Sequence, residues 1–178
     1  MSLKHFYTEF PSPIGTLQLR GTEAAVHGLF MEGHSNRPPL GSGATRDESP
    51  LRSAMEQIEE FLSGARRCFD LPIALDGTPF QLSVWRELLR IPYGATRTYG
   101  AIAACILNRR AARAVGAANR CNPLSILVPC HRVIAAGGAI GGYGGGVARK
   151  QFLLALERRM ERAGTAKASV HSAGGNTA

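Results

Sequence analysis

The chain has 178 residues, 44% of them apolar, which suits one large domain or two small ones at roughly 100–200 residues each. At this size a core buries about 68–70% of the unfolded surface without disulfides or metals, so a stapled mini-protein is excluded. The net charge of +8 is unevenly placed: residues 1–75 carry 7 basic and 9 acidic side chains, and residues 76–178 carry 14 and 4. Between Glu87 and Glu157 there is no acid, yet Arg90, Arg97, Arg109, Arg110, Arg113, Arg120, Arg132, Arg149 and Lys150 lie there. A polyanion such as nucleic acid complements that field; the other reading is a solvated basic surface, which normally mixes both signs. No run of about 18 apolar residues occurs, and Met1 to Phe10 lacks a charged-then-apolar leader pattern. Cys68, Cys105, Cys121 and Cys130 show no paired spacing, so the expectation is a soluble cytoplasmic protein with free thiols.

Residues 1–75 read as strands followed by one helix. Phe6 to Phe10, Thr16 to Arg20 and Ala25 to Met31 are β-compatible runs separated by turn chemistry at residues 11–15 and 21–23. They predict a small antiparallel sheet. Residues 34–49, rich in Gly and Pro, read as a flexible loop. Leu51, Met55, Ile58, Phe61 and Leu62 recur at helical spacing, with Gly64 as a stop. Residues 68–75 suggest one more strand, and residues 76–79 mark a boundary between two units.

Residues 76–162 read as mostly helical. Thr78 is a candidate N-cap with Pro79 at the first helical position, followed by the apolar face Phe80, Val84, Leu88 and Leu89 with Trp85 at its edge. Thr98 is placed to cap a short helix over residues 99–107, and a second helix is expected over residues 109–119. The spacing is that of a helix-turn-helix. On the second helix Arg109, Arg113, Ala117 and Arg120 share one stripe, and the surrounding Ala111, Ala112, Ala114, Gly116 and Ala118 are small enough for close approach to a DNA groove. An alanine-rich structural helix with a cationic face fits the same residues. Residues 126–128 suggest a buried strand leading to Pro129-Cys130-His131-Arg132-Val133, and residues 137–146 hold seven glycines. No phosphate-cradle motif is present there, so the stretch reads as a close-fitting pocket loop. Phe152, Leu153, Leu156 and Met160 place a final helix over residues 147–162, and residues 163–178 are expected to be a disordered tail.

Cys130 is the candidate nucleophile, because a thiolate is favoured by a nearby imidazole or cation and His131 and Arg132 follow it directly. Neighbouring strand residues point oppositely, so His131 has to act at a turn or through a water. Glu157, three and four residues from Leu154 and Leu153, is an acid beside an apolar stripe and needs a partner if half-buried. Nucleophile, base and orienter follow as Cys130, His131 and Glu157. Alone, the adjacency favours a buried structural cysteine beside a surface histidine. His5, His27 and His34 have no zinc-like spacing and read as ordinary residues.

The string Pro129-Cys130-His131-Arg132-Val133, preceded by Asn122-Pro123 and by Ala111-Ala112-Arg113-Ala114-Val115-Gly116, resembles the O6-alkylguanine-DNA alkyltransferases, the methylated-DNA–protein-cysteine methyltransferases. Phe80-Gln81, Val84-Trp85, Ile91-Pro92-Tyr93-Gly94, Thr98-Tyr99 and Gly142-Tyr143 occur in order at matching spacing. The resemblance is dense over residues 76–160 and only an outline before them. It implies an α+β fold, with a ribonuclease H-like amino-terminal part and a winged helix-turn-helix domain. It further implies minor-groove binding to alkylated duplex DNA as a monomer, through Arg109, Ala112, Gly116 and Arg120. Arg113 would fill the gap left by an extruded nucleotide, which Tyr99 helps to rotate. Cys130 would take the alkyl group from guanine O6, and thymine O4 adducts are also expected, with His131 and Glu157 removing the thiol proton and Tyr99 protonating the base. Asn122 would order the backbone near the nucleophile, and Val133, Tyr143 and Gly144 would wall the base pocket. The lesion is its own donor, so neither a cofactor nor a metal is expected. Asn108-Arg109-Arg110 and Gly144 depart from the pattern, at a turn where many relatives carry Gly or Pro and at a position where some carry Ser. A lesion-binding relative without transfer and a regulator sensing through Cys130 are the other classes.

Overall fold

The computed structural model describes residues 4–106 and 111–172. Strands β1 (Phe6–Phe10), β2 (Leu17–Gly21) and β3 (Val26–Met31) form an antiparallel meander, with Phe10 opposite Leu17 and Leu17 opposite Met31. The sheet is not purely antiparallel as expected. A fourth strand, β4 (Thr45–Arg46), pairs parallel to β1 and gives the order β3-β2-β1-β4. It comes from the stretch read as a loop, and the reason for its order lies on the outer sheet face. Buried Arg20 donates to the carbonyls of Pro38 and Pro39 at 2.8 and 3.2 Å, so residues 34–44 are drawn over the strands. Residues 68–75 do not form a further strand; Ile73 makes a single parallel bridge to Val26.

Helix α1 (Arg52–Ser63) covers the inner face with Ala54, Ile58, Phe61 and Leu62, and Gly64 closes it at φ 88°. Each large side chain among these contributes about 1.5–3 kcal/mol by leaving water. Helix α2 (Pro79–Leu89) starts with a full capping box: the Thr78 hydroxyl accepts from the Gln81 amide, and the Gln81 side chain accepts from Thr78 N. Strand β5 (Arg97–Thr98) leads into α3 (Tyr99–Cys105), capped by the Thr98 hydroxyl. Helix α4 (Ala112–Arg120) follows, then a 3-10 turn at Cys130–Arg132, β6 (Val133–Ile134) parallel to β5, and α5 (Val147–Ser172). The core is continuous across both halves, from Leu19 and Phe61 to Val84, Val115 and Leu153.

Four further expectations are corrected. Trp85 is 2% exposed rather than at the edge of a face, and its indole donates to the Ala118 carbonyl at 2.9 Å; the small residues of α4 let the ring reach that helix's backbone. Residues 126–128 are a tight turn, not a strand, with buried Ile126 at φ 72°. A β-branched residue in that region costs about 1–3 kcal/mol and persists only where its surroundings impose it. Helix α5 runs on to Ser172 instead of stopping at Arg162, through a stretch free of proline. Its buried face is Lys150, Leu153, Leu154, Leu156 and Glu157, so Leu153 and Leu156 lie where expected, whereas Phe152 is 38% exposed. Among the described residues no helix is long and apolar enough to cross a membrane. Arg109 and the turn around it lie outside the described residues.

Candidate active site

Cys130 opens the 3-10 turn, so Cys130 and His131 do not alternate as on a strand, and both are buried, at 2% and 0% exposure. The turn is held from two sides. Asn122 Nδ2 donates to the Val128 carbonyl at 2.9 Å, and Asn122 Oδ1 accepts from Leu124 N at 3.0 Å, which imposes the Ile126 conformation. Asn119 on α4 donates through Nδ2 to the Cys130 carbonyl at 3.1 Å.

His131 Nε2 lies 2.7 Å from Glu157 Oε1 on α5. Glu157 also accepts from Arg132 Nε and Nη2 at 3.0–3.1 Å and from the Gly94 amide at 2.8 Å. Burial alone would raise its carboxyl pKa, but the hydrogen bonds and charges of His131 and Arg132 outweigh burial and hold it below the usual range. Glu157 is therefore ionised. Burial, with the charges of Arg132 and Lys150 adding to it, holds the His131 pKa below its ordinary value against the opposing effect of Glu157, so the imidazole is neutral near pH 7. An ionised carboxylate can only accept, which assigns the proton to Nε2 and leaves Nδ1 as an acceptor. That atom is buried without a protein partner.

The thiol does not match the expectation of an ionised sulfur. Burial raises the Cys130 pKa, against smaller opposing effects of Asn122, Tyr143 and Lys150. Arg132, read as a source of positive field, is committed to Glu157 and, through Nη1, to the Ile91 carbonyl at 2.7 Å. The nearby cation is instead Lys150, fully buried, its pKa lowered to about 8 by burial with Cys130 opposing. Its ammonium donates to the Val133 carbonyl and, at 3.4 Å, to Gly142.

A cavity of about 540 Å³ opens in front of this turn, lined by Tyr99, Arg113, Gly116, Asn119, Tyr143 and Gly144 among others. Tyr99 meets the glycine loop at the edge of the cavity, its phenol donating to the Gly142 carbonyl at 3.4 Å. The Tyr143 hydroxyl is buried beside Cys130 and Ser125. Arg113, Ala117 and Arg120 are exposed on the outer stripe of α4, while Ala112 and Gly116 stand at the cavity mouth. Val133 departs from its expected place. It is fully buried behind the pocket, and its amide already donates to the Cys130 carbonyl, so it is not free to read a base.

Sequence reasoning missed Asn119, Ser125 and Lys150. Lys150 was the findable one, since it stands seven residues before Glu157 on the same apolar stripe. Among the described residues no group of three or more His, Cys, Asp or Glu is placed to hold a metal.

A buried thiol on the same turn as a histidine–carboxylate pair, with helices α3 and α4 packed together and arginines exposed on α4, defines a cysteine-dependent protein of DNA-binding type. Residues 79–159 match the DNA-binding domain, and residues 5–75 the ribonuclease-like domain, of 6-O-methylguanine DNA methyltransferase. The chain belongs to this family. It is 46% identical over 153 residues to the methylated-DNA–protein-cysteine methyltransferase of Methanosarcina acetivorans, covering 85% of this chain and 97% of that one. The enzyme of the same name from Mycolicibacterium paratuberculosis is 48% identical, covering 86% and 92%. The crystal structure of Mycobacterium tuberculosis OGT in complex with DNA superposes with a TM-score of 0.82 at 44% identity, covering 87% of this chain and 94% of that one.

Proposed function

We propose that this protein repairs duplex DNA by moving the alkyl group of O6-alkylguanine, and of O4-methylthymine, onto its own Cys130, once per molecule and as a monomer. The observation that carries this reading is a single buried turn that bears the thiol and a neutral imidazole whose free nitrogen has no protein partner, tied through Asn119 to a cavity that the exposed residues of α4 also line.

The outer stripe of α4 lies in the minor groove, with Arg113 occupying the space of the extruded nucleotide and Ala112 and Gly116 permitting close approach. Arg120 and Arg109 meet phosphates. The displaced base enters the cavity past Tyr99, with Tyr143 and Gly144 as its wall. As the Cys130 sulfur forms its bond to the alkyl carbon, the thiol proton passes through a water to His131 Nδ1, and Glu157 stabilises the imidazolium. The carbon–O6 bond breaks with its electron pair going to the base. Tyr99, whose pKa is raised by burial and by Cys130, remains protonated and supplies the proton. The product is a thioether, which has no good leaving group, and the lesion is the donor, so the reaction needs no cofactor and does not turn over.

The test mixes the protein with duplex DNA carrying O6-methylguanine labelled in the methyl group. Label on Cys130, at no more than one per chain and absent from Cys130→Ser, is the expected result. Binding of the lesion without transfer would replace this reading by that of a lesion-recognition protein.

A further inference from the structure

The segment that follows β3 crosses from the amino-terminal half to both walls of the cavity. His34 is 8% exposed and stacks edge-on against Phe30 of β3, with ring centroids 5.6 Å apart. Its Nδ1 accepts from the Asn36 amide at 3.3 Å. Ser35 N donates to the Gly144 carbonyl at 3.2 Å, and Asn36 Nδ2 donates to the Arg120 carbonyl, at the end of α4, at 3.1 Å. These three consecutive residues thus bridge the pocket loop and the helix that carries the arginine stripe.

The same contacts account for glycine at 144. A Cβ there would lie 2.6 Å from His34 Nε2 and 3.3 Å from the Arg120 carbonyl. His34 occupies the space that a side chain at 144 would need.

We propose that His34 and Asn36 are positioning residues for the transfer reaction, clamping the Gly144 wall to the end of α4 so that base pocket and DNA-reading helix hold one geometry, and that protonation of His34 opens the clamp. The proposal rests on the alkyl-transfer reading of the site. Protonated Nδ1 is a donor and no longer accepts from Asn36 N. The added charge would also face Arg37 of its own segment and Arg149 of α5; the other neighbours, Phe30, Gly144 and the Arg120 carbonyl, carry no ionisable group. Burial, with Arg37 and Arg149 adding to it, holds the His34 pKa below its ordinary value. The clamp is therefore closed near neutrality and opens on acidification below about pH 6.5.

Two substitutions separate positioning from mere stability. Asn36→Asp keeps the side-chain shape but removes the donor. His34→Asn keeps an acceptor where Nδ1 stood but cannot titrate. In single-turnover reactions at saturating protein, Asn36→Asp should lower the rate constant by about fivefold through loss of one hydrogen bond in the productive geometry. The reaction amplitude, which falls if the protein simply unfolds, should stay full. With each profile normalised to its own value near neutrality, His34→Asn should retain more of its rate than the parent as pH falls below about 6.5; His131 titrates in both proteins, so its effect cancels in the ratio of the normalised profiles. Independently of transfer, hydrogen exchange of amides 141–145 in Asn36→Asp should rise severalfold over the parent while α1 is unchanged. A parental rate constant together with parental exchange in Asn36→Asp, or superimposable acid profiles for His34→Asn and the parent, overturns the clamp. Faster loop exchange in a protein that never transfers would overturn the alkyl-transfer reading and leave the clamp standing.

Discussion

Replacing Glu157 by glutamine tests the buried relay most directly. The side chain keeps its shape and loses the charge that faces His131 and Arg132. A hydrogen bond to a charged group is worth about 1.5–3 kcal/mol, so the imidazolium formed during transfer loses that much stabilisation and the rate constant should fall roughly ten- to hundredfold. The charge of Glu157 raises the affinity of His131 for a proton. Removing it lowers the imidazole pKa further, so the acid limb of the rate profile should move to lower pH. Stability changes as well, because Arg132 is left buried without its counter-ion. A broken buried pair costs about 3–5 kcal/mol, which at about 2–4 °C per kcal/mol lowers the melting temperature by roughly 6–20 °C. The parent's Glu157 pKa is depressed, so its contribution is present above about pH 4.3 and is lost as pH falls through the folded value; the variant should lack that step. Single-turnover transfer against pH, measured well below the melting temperature, together with thermal unfolding, reads all three effects. A variant with the parental rate and an unmoved acid limb would refute action through His131.

Arg113→Ala should slow repair in duplex DNA at least tenfold, since extrusion costs a few kcal/mol that the side chain helps to offset. Its reaction with the free modified base should be unchanged, and equal losses on the two substrates would refute the role. Tyr99→Phe should fold normally and slow transfer by roughly a hundredfold, the low end of what a general acid contributes; an unchanged rate constant would show that the phenol proton is not used. Asn122→Ala leaves the buried Leu124 amide without its partner, while the Val128 carbonyl still accepts from Cys130 N at 2.7 Å, and should cost about 1–3 kcal/mol in denaturant unfolding. A loss under 1 kcal/mol would mean that the Ile126 turn holds itself.

What was legible in the chain was whatever local chemistry decides. Thr78 and Pro79 announced the start of α2, Gly64 the end of α1, and the acid among the leucines of α5 identified Glu157. Illegible features depend on partners distant in sequence. Ile126 adopts a left-handed turn because Asn122 holds the carbonyl and amide beside it, and Trp85 is core because α4 is too small to exclude it. Strand β4 exists because Arg20 draws its loop across the sheet. Lys150 is the partial case: its helical step from Glu157 places it on the buried stripe, whereas the carbonyls of residues 133 and 142 that satisfy its ammonium lie outside its helix.

The raised pKa of Cys130 bears on why the relay exists. Cys68, Cys105 and Cys121 are exposed, whereas Cys130 is enclosed and protonated at rest. A nucleophile used once is lost to any stray electrophile that reaches it as a thiolate, so a permanently ionised sulfur would shorten the useful life of the molecule. On the proposed mechanism, a thiol that is protonated at rest would give up its proton to the neutral imidazole only when the alkylated base is in place. Lys150 and the Tyr143 hydroxyl act in the same sense, favouring the thiolate as it develops without holding it ionised beforehand. The resting thiol should therefore react with a small alkylating reagent near neutral pH more slowly than an exposed cysteine. It should gain reactivity as pH rises past the ordinary thiol range of about 8.5. Labelling the folded protein with iodoacetamide against pH, with each cysteine resolved by mass spectrometry, measures this; faster modification of Cys130 than of Cys68 at neutral pH would refute a protonated resting state.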